Sequence, residues 1–260
     1  MMPVFDITLD LSRCGYEDSE VEHALWSWLV CLHSAGQITN DDYVFVWKDT
    51  TLRVTVVCPE REALFIKTPM KYARQQRARL EAITGGGITF EEAGMEPQEG
   101  AYEVPRRSSF YILRSGWFSP LICGDTFRPV PLYLIPPTDP DGDSYDNVRT
   151  WEYSYRRLYG LWLNGTVGEQ FALRQMQDPR STLSSIGRDL CHRIETLTGT
   201  PTYYFLMNDR HWSRKQDLSR KCPLTGKAWR IEGATTSDFI AFKCDASRLV
   251  SELSPSCRDA

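Results

Sequence analysis

The first half of the chain alternates between strand and helix patterns in an order that few folds accommodate. An apolar-rich run from Val4 to Leu11 predicts a strand. A capping box, Ser19-Glu-Val-Glu22, predicts the start of a helix, because its hydroxyl and carboxylate can accept from free backbone N–H groups. The apolar residues that follow recur at helical spacing: Val21, Ala24, Leu25, Trp28, Leu29 and Leu32. Gly36 predicts the end of this helix.

Three more strands and one more helix complete this pattern. Residues 43–47 and 52–57 are rich in β-branched and aromatic side chains and are separated by a short polar turn, which predicts a hairpin. Pro69 predicts the first turn of a second helix, which should end near Ile83, and residues 88–92 predict a last strand. The order β-α-β-β-α-β predicts a ferredoxin-like domain over residues 1–95.

A second α+β domain is predicted over residues 108–260, after a linker rich in proline, glycine and glutamate. Its first strands are expected at residues 110–113 and 121–122. The apolar run 129–136 has prolines at its ends and is therefore expected to be an edge strand. The whole chain is thus expected to be an α+β protein of two domains.

The C-terminal part contains two turns that each keep only half of a metal-binding motif. Structural zinc sites take four thiolates or imidazoles, commonly from two C-x2-C turns that face each other. Here Cys222 is followed by Thr225, and Cys244 is followed by Ser247, where the second cysteines would stand. A neutral hydroxyl is a poor ligand for zinc, so the chain is expected to hold no metal. The alternative is a rebuilt zinc site on Cys222 and Cys244, completed by His211 or Cys257.

The residues around these turns resemble a known family. They read Cys222-Pro-Leu-Thr-Gly-Lys-Ala-Trp229 and Phe242-Lys-Cys-Asp-Ala-Ser-Arg-Leu-Val-Ser251, and the likeness continues upstream in Cys123-Gly-Asp-Thr126. They are similar to a bacterial family of uncharacterised zinc-ribbon-containing proteins to which nucleic-acid binding has been ascribed. The resemblance implies a ribbon of β-hairpins over residues 218–253 and a cytoplasmic bacterial protein. Because Thr126 also replaces a cysteine of that family, the loss of ligands here is systematic.

Composition and charge narrow the function classes. The chain of 260 residues has a net charge of −4, and a protein whose main task was to hold phosphates would normally be basic. No apolar run is long enough to span a membrane, and the first residues do not resemble a signal peptide, so a cytoplasmic location is expected. The eight cysteines are scattered through a chain of ordinary composition and are expected to be free thiols.

An acidic segment near the middle of the chain is the predicted site of contact with a partner. Its carboxylates alternate as in a calcium-binding loop, but Ser144 stands where such a loop needs glycine and Thr150 where it needs glutamate. A solvated turn and an acidic surface for a basic protein are the remaining interpretations. The predicted contact residues are Asp139, Asp141, Asp143, Tyr145 and Asp146.

A basic cluster supports an alternative function. Five cations precede or begin the C-terminal segment, and a tryptophan lies among them, as is typical of nucleic-acid contact surfaces. These are Arg210, Arg214, Lys215, Arg220 and Lys221.

Catalytic motifs are not recognisable in the sequence, which favours a binding protein over an enzyme. The predicted function is stoichiometric binding of a protein partner, with an immunity-type inhibitor of a basic, toxic nuclease as the specific hypothesis. The alternative is a zinc-ribbon protein that binds nucleic acid.

Overall fold

The computed structural model describes residues 1–12, 15–97, 102–116, 118–210, 212–234 and 238–255. The chain forms two compact units and is of the α+β class, with one sheet in each unit. Unit 1 consists of residues 1–106 and 128–146, and unit 2 of residues 107–127 and 147–260. Among the described residues, no helix combines the length and apolar character needed to cross a bilayer.

Unit 1 has a four-stranded antiparallel sheet and two helices. In chain order its elements are β1 (Met2–Asp10), α1 (Asp18–Ala35), β2 (Val46–Lys48), β3 (Thr51–Val57), α2 (Lys71–Thr84) and β4 (Ile88–Glu96). The strands lie in the order β2-β3-β1-β4. α1 turns an almost wholly apolar face inward, with Ala24, Leu25 and Leu29 at 0% exposure, so helix packing on the sheet forms the core.

The first helix begins earlier than its sequence predicts. The residue before its first turn is Glu17 and not Ser19, and no side chain caps the N-terminus of α1. Asp18 and Glu20 instead place negative charge in the first turn, where the helix dipole favours it. At the other end, Gly36 has the left-handed conformation expected of it, with φ of 74°.

The run 129–136 belongs to unit 1 and is not the predicted edge strand. Its centre is a 3-10 helix, Leu132–Leu134, and its prolines cannot donate hydrogen bonds to a strand ladder. Two tyrosine hydroxyls fix the segment: that of Tyr133 donates to Glu60, and that of Tyr102 donates to the carbonyl of Pro129 at 2.8 Å. A polypeptide stretch that follows part of unit 2 in sequence therefore completes unit 1.

Unit 2 is built on a five-stranded mixed sheet. Its elements are β5 (Tyr111–Leu113), β6 (Leu121–Cys123), α3 (Asp146–Asn164), α4 (Glu169–Gln177), α5 (Thr182–Thr198), β7 (Thr202–Leu206), α6 (Arg214–Ser219), β8 (Phe242–Cys244) and β9 (Leu249–Ser251). The strand order is β6-β5-β7-β9-β8, and β7 is parallel to both of its neighbours. All five residues of β7 are buried, as expected for a central strand.

A close approach of α5 to the sheet and a buried ion-pair group within α3 characterise the helices of unit 2. Gly187 of α5 lies so close to the ring of Tyr204 that an added Cβ would meet it at 2.2 Å. Glu152 of α3 is 1% exposed and accepts from Arg149 at 2.7 Å and from Arg156 at 2.9 Å. A buried carboxylate between two guanidinium groups has its charge balanced inside the protein.

Candidate functional site

The two half-motifs of the C-terminal segment face each other in unit 2. The sulfur of Cys222 lies 3.2 Å from the hydroxyl of Ser247, and the hydroxyl of Thr225 lies 3.6 Å from the sulfur of Cys244. Each contact joins one turn to the other. Hydroxyl–sulfur hydrogen bonds therefore connect the positions at which four thiolates would surround a metal ion. We call these four residues the thiol–hydroxyl corner.

Local backbone geometry forms the two turns. In the first, the N–H of Gly226 donates to the carbonyl of Cys222 at 2.8 Å, and Gly226 adopts a left-handed φ of 68°. The second turn lies between β8 and β9, which pair in antiparallel register with Cys244 opposite Leu249. The indole of Trp229, which follows the first turn, packs on the ring of Phe242 at the start of β8, with 5.3 Å between the ring centroids.

The corner favours a thiolate at Cys222. Burial raises the pKa of this thiol. Hydrogen bonds from the hydroxyls of Ser247 and Thr225 and from the N–H groups of Leu224 and Thr225 have the larger, opposite effect and lower the pKa to about 7. The ordinary value is 9.0. The hydroxyls thus take over part of what a metal ion does for a thiolate, since they stabilise its negative charge.

The donor set of the corner does not fit a structural zinc ion. Two thiols and two neutral hydroxyls provide only half of the charged ligands that such a site takes. In the part of the chain that the structure describes, no group of three or more His, Cys, Asp or Glu side chains is placed to hold a metal. The substitute ligands His211 and Cys257 lie outside the described residues.

Cys123 has an environment similar to that of Cys222. Burial raises the pKa of its thiol, but hydrogen bonds with the hydroxyls of Ser108 and Thr126 lower it below the ordinary value. Thr126 lies three positions after Cys123, the same spacing that separates Thr225 from Cys222. At each such position, a hydroxyl therefore contacts the remaining sulfur.

The acidic segment forms a tight loop in unit 1. Asp139 is its anchor, because its Oδ1 atom accepts from the N–H groups of Asp143 at 2.8 Å and Ser144 at 3.0 Å. Burial raises the pKa of Asp139, and these hydrogen bonds lower it below its usual range. The loop turns at Gly142, which has a left-handed φ of 73°. Asp139 therefore shapes the loop from within.

Tyr145 is not on the contact surface, which corrects its assignment from the sequence. Its side chain is 0% exposed, and its hydroxyl donates to the carbonyl of Ile135 at 2.7 Å. A tyrosine in a polar segment suggests a surface residue, but here it is the core residue that attaches the loop to unit 1. The exposed carboxylates of the loop are Asp141, Asp143 and Asp146.

The loop borders an open cleft of about 530 Å³ within unit 1. The opposite side of this cleft is formed by α1 and α2 and carries two exposed apolar side chains, Tyr72 at 51% and Val30 at 38% exposure. Asp143 and Asp146 line the acidic side. Acidic side chains beside exposed apolar surface are the composition expected of a patch that binds a basic protein. We call this surface the acidic cleft.

The predicted basic cluster is divided by the structure. Arg220 is held by the protein itself: its Nε atom lies 2.9 Å from Oδ1 of Asp217, and its guanidinium lies 3.8 Å from the ring centroid of Phe242. Burial lowers its pKa to about 10. Arg220 is therefore a structural residue, which corrects its assignment to a nucleic-acid surface. The exposed members of the cluster are Arg210, Arg214, Lys215 and Lys221.

Arg210 meets two cations that the sequence does not associate with it. Arg174 and Arg180, from α4 and the turn after it, line a cleft of about 480 Å³ together with Arg210. The guanidinium of Arg210 also stacks on Trp212 at 5.0 Å. Thirty positions separate Arg180 and Arg210 in the sequence, so only the fold reveals this grouping.

Comparisons with known proteins find relatives of unknown function. Residues 2–94, 105–207 and 212–257 match three families, each described as a domain of unknown function: DUF8589, DUF2310 and DUF8594. An uncharacterized protein of Haemophilus influenzae is 35% identical over 204 residues, which is 76% of this chain and 76% of that protein. A second uncharacterized protein of the same organism is 40% identical over 136 residues, or 52% of this chain and 66% of its own length.

Proposed function

The chain belongs to the same family as the uncharacterized Haemophilus influenzae protein that is 35% identical to it, and from that premise we propose that it is a non-enzymatic protein that binds a basic protein partner through the acidic cleft. The observation that carries this proposal is the juxtaposition of exposed carboxylates with exposed apolar side chains on one surface of unit 1. Net charge of −4 supports it, because an acidic protein attracts a basic one at long range.

We propose that the partner is a basic nuclease with a toxic activity and that binding inhibits it, as an immunity protein does. The catalytic cleft of a nuclease is positively charged because it must hold phosphates, and an acidic loop is its electrostatic complement. Asp141, Asp143 and Asp146 would supply the charge, while Tyr72 would supply buried apolar area at the centre of the contact. Asp139 would act indirectly by holding the loop.

We also propose the two fold assignments predicted from the sequence, a ferredoxin-like fold for unit 1 and a zinc-ribbon-like fold for the C-terminal segment. The strand order β2-β3-β1-β4, with all neighbours antiparallel, supports a ferredoxin-like arrangement for unit 1. The pairing of β8 with β9 and the approach of Cys222 to Ser247 support a ribbon that has lost its metal.

Affinity purification tests the proposal. The tagged wild-type chain, expressed in its own host, is expected to retain a basic protein in a fixed molar ratio, measured by light scattering of the purified complex. The variant Asp141→Asn/Asp143→Asn/Asp146→Asn should lose that partner, and added salt should weaken the complex. The charge-matched control Asp41→Asn/Asp42→Asn/Glu62→Gln changes exposed carboxylates of unit 1 outside the cleft and should retain it.

Nuclease assays address the specific partner class. The purified partner should cleave nucleic acid, and stoichiometric addition of the wild-type chain should stop the cleavage. If both triple variants lost the partner, the acidic cleft would not be the binding site. If the retained partner had no nuclease activity that the chain blocks, the partner would not be an inhibited nuclease.

Nucleic-acid binding is a second candidate, supported by the cleft that Arg174, Arg180 and Arg210 share in unit 2. Single-stranded nucleic acid is bound by such cations together with a stacking aromatic, here Trp212. Fluorescence anisotropy of a labelled oligonucleotide tests it. Binding that falls steeply with salt and is lost in Arg174→Gln/Arg180→Gln would favour this function.

A further inference from the structure

A second pocket of unit 1, distinct from the acidic cleft, contains a buried hydrogen-bond acceptor without a partner. The pocket has a volume of about 360 Å³, within the range of roughly 300–1,000 Å³ that small-molecule sites occupy. Gln37 forms part of its wall and is 0% exposed. We call it the Gln37 pocket.

The orientation of the Gln37 amide is fixed by the backbone. Its Nε2 atom donates to the carbonyl of Ala63 at 2.6 Å and to that of Ile66 at 2.9 Å. Both partners are carbonyl oxygens, which accept hydrogen bonds and cannot donate them. The side-chain group that faces them must therefore be the NH₂ group and not the amide oxygen. Oε1 then points away from them, and among the described residues it has no hydrogen-bond partner.

An unsatisfied buried acceptor is costly to the folded protein. Leaving such a group without a partner costs about 1–3 kcal/mol, and a ligand in the pocket that donates a hydrogen bond to it would recover this free energy. Within the protein, the Gln37 side chain makes its hydrogen bonds to Ala63 and Ile66 through the NH₂ group alone.

Aromatic surface at the same pocket is exposed to solvent. Phe65 is 63% exposed, although its ring packs edge to face against two others. Its ring centroid lies 6.2 Å from that of Phe5 and 5.6 Å from that of Phe90. These contacts hold the phenyl ring in place and leave much of it uncovered. A planar ligand ring is the partner that such a surface accommodates.

Positive charge is also held at the pocket. The guanidinium of Arg77 lies 5.0 Å from the ring centroids of both Trp28 and Phe90, and its Nε atom donates to Glu81 at 2.7 Å. Lys67 lines the pocket as well and is exposed. Because two rings and a carboxylate fix the Arg77 side chain, its cationic group is ordered in advance of binding.

We propose that the Gln37 pocket binds a small heteroaromatic anion that carries an N–H donor. The ring lies on Phe65, the N–H group donates to Oε1 of Gln37, and the phosphate or carboxylate pairs with Arg77 and Lys67. A nucleoside monophosphate and an indole carboxylate share this chemistry. The inference concerns a site separate from the acidic cleft, so it stands or fails independently of the proposed function.

Calorimetry with two probes distinguishes the sources. AMP presents an amino group and a phosphate, and indole-3-acetate presents an indole N–H and a carboxylate. One of them is expected to bind at one per chain, and the probe that binds identifies the anion. Adenosine, which lacks the anion, and benzoate, which lacks the N–H donor, should bind at least about tenfold more weakly, the factor that corresponds to one lost interaction.

Matched variants locate the binding site. Phe65→Ala and Arg77→Gln change side chains that are at least partly exposed and should each weaken binding about tenfold. Trp26→Ala in α1 and Arg79→Gln in α2 change an exposed aromatic and an exposed arginine outside this pocket and should not. Melting temperatures verify that each variant is folded. Binding of neither probe, or equal losses in the pocket and control variants, would overturn the inference.

Discussion

The hydroxyl of Ser247 lies 3.2 Å from the sulfur of Cys222, across the gap between two turns that are 25 positions apart in sequence. This contact and its counterpart between Thr225 and Cys244 link the turns without a metal ion. A hydrogen bond contributes about 0.5–1.5 kcal/mol, far less than a structural zinc ion. The turns therefore depend on the surrounding unit, and in particular on the packing of Trp229 on Phe242.

Returning the two missing cysteines should create a zinc site. The variant Thr225→Cys/Ser247→Cys places four thiols at the corner, and we expect it to bind one zinc ion per chain, measured by elemental analysis after dialysis. Its melting temperature should rise with zinc and fall with a chelator. The single variant Ser247→Cys, with three thiols, should bind zinc more weakly. If the double variant takes up no zinc, the two turns are not arranged around a common point.

Removal of one hydroxyl should raise the pKa of Cys222. In Ser247→Ala the thiolate loses a hydrogen-bond donor, so its pKa should move from about 7 towards the ordinary 9.0. The pH dependence of ultraviolet thiolate absorbance measures this change when the Cys222→Ser variant is subtracted. Ser219→Ala, which removes an exposed hydroxyl at the end of α6, is the control and should leave the titration unchanged.

The same thiol should make stability depend on pH. Its pKa is about 7 in the folded protein against 9.0 ordinarily, so the folded state favours the thiolate. This stabilisation is complete above pH 9, declines as pH falls, and is absent below pH 7. The free energy of unfolding of the wild type relative to Cys222→Ser should accordingly be larger at pH 8.5 than at about pH 6, by denaturant titration. An unchanged difference would show that the corner does not stabilise the thiolate.

A methyl group at Gly187 should disturb the centre of unit 2. In Gly187→Ala the new Cβ meets the ring of Tyr204 at 2.2 Å and the indole nitrogen of Trp151 at 2.9 Å. Overpacking of this kind costs about 1–3 kcal/mol, although alanine favours a helix by itself. Gly160→Ala in α3, where nothing lies within 4 Å of an added Cβ, should be neutral or stabilising by thermal denaturation.

Loss of the buried carboxylate in α3 should be more damaging. Glu152→Gln removes the charge that balances Arg149, whose side chain is only 5% exposed, and should cost about 3–5 kcal/mol. Glu81→Gln breaks the pair with Arg77, in which the side chains are 29% and 49% exposed, and should cost less than about 1 kcal/mol. Chemical denaturation of the two variants measures the contrast. Equal effects would show that burial does not decide the outcome.

Local patterns in the sequence predict part of this structure well. Apolar side chains at helical spacing and the end signal at Gly36 identify α1, because both arise within one helix. The proline-rich run 129–136 is misassigned, since its buried side chains pack against residues far away in sequence. For the same reason Tyr145 is mistaken for a surface residue and Arg220 for a free cation.

The candidate sites differ in how far the sequence reveals them. The spacing of Cys222, Thr225, Cys244 and Ser247 predicts a shared corner, because two tight turns with fixed spacing must face each other to bind a metal. Nothing in the sequence marks Gln37, since its unused oxygen becomes apparent only once Ala63 and Ile66 occupy its nitrogen. The grouping of Arg174 with Arg210 likewise depends on the fold.

The return of residues 128–146 to unit 1 limits how this polypeptide can be divided. A fragment that stops at Arg106 would lack Tyr133 and Tyr145, and Glu60 would lose the hydroxyl that donates to it. Recombination at a single junction cannot exchange one unit for a foreign one, because the chain passes from unit to unit three times along its length. Truncation experiments on either unit should therefore use the interleaved segments and not a single cut.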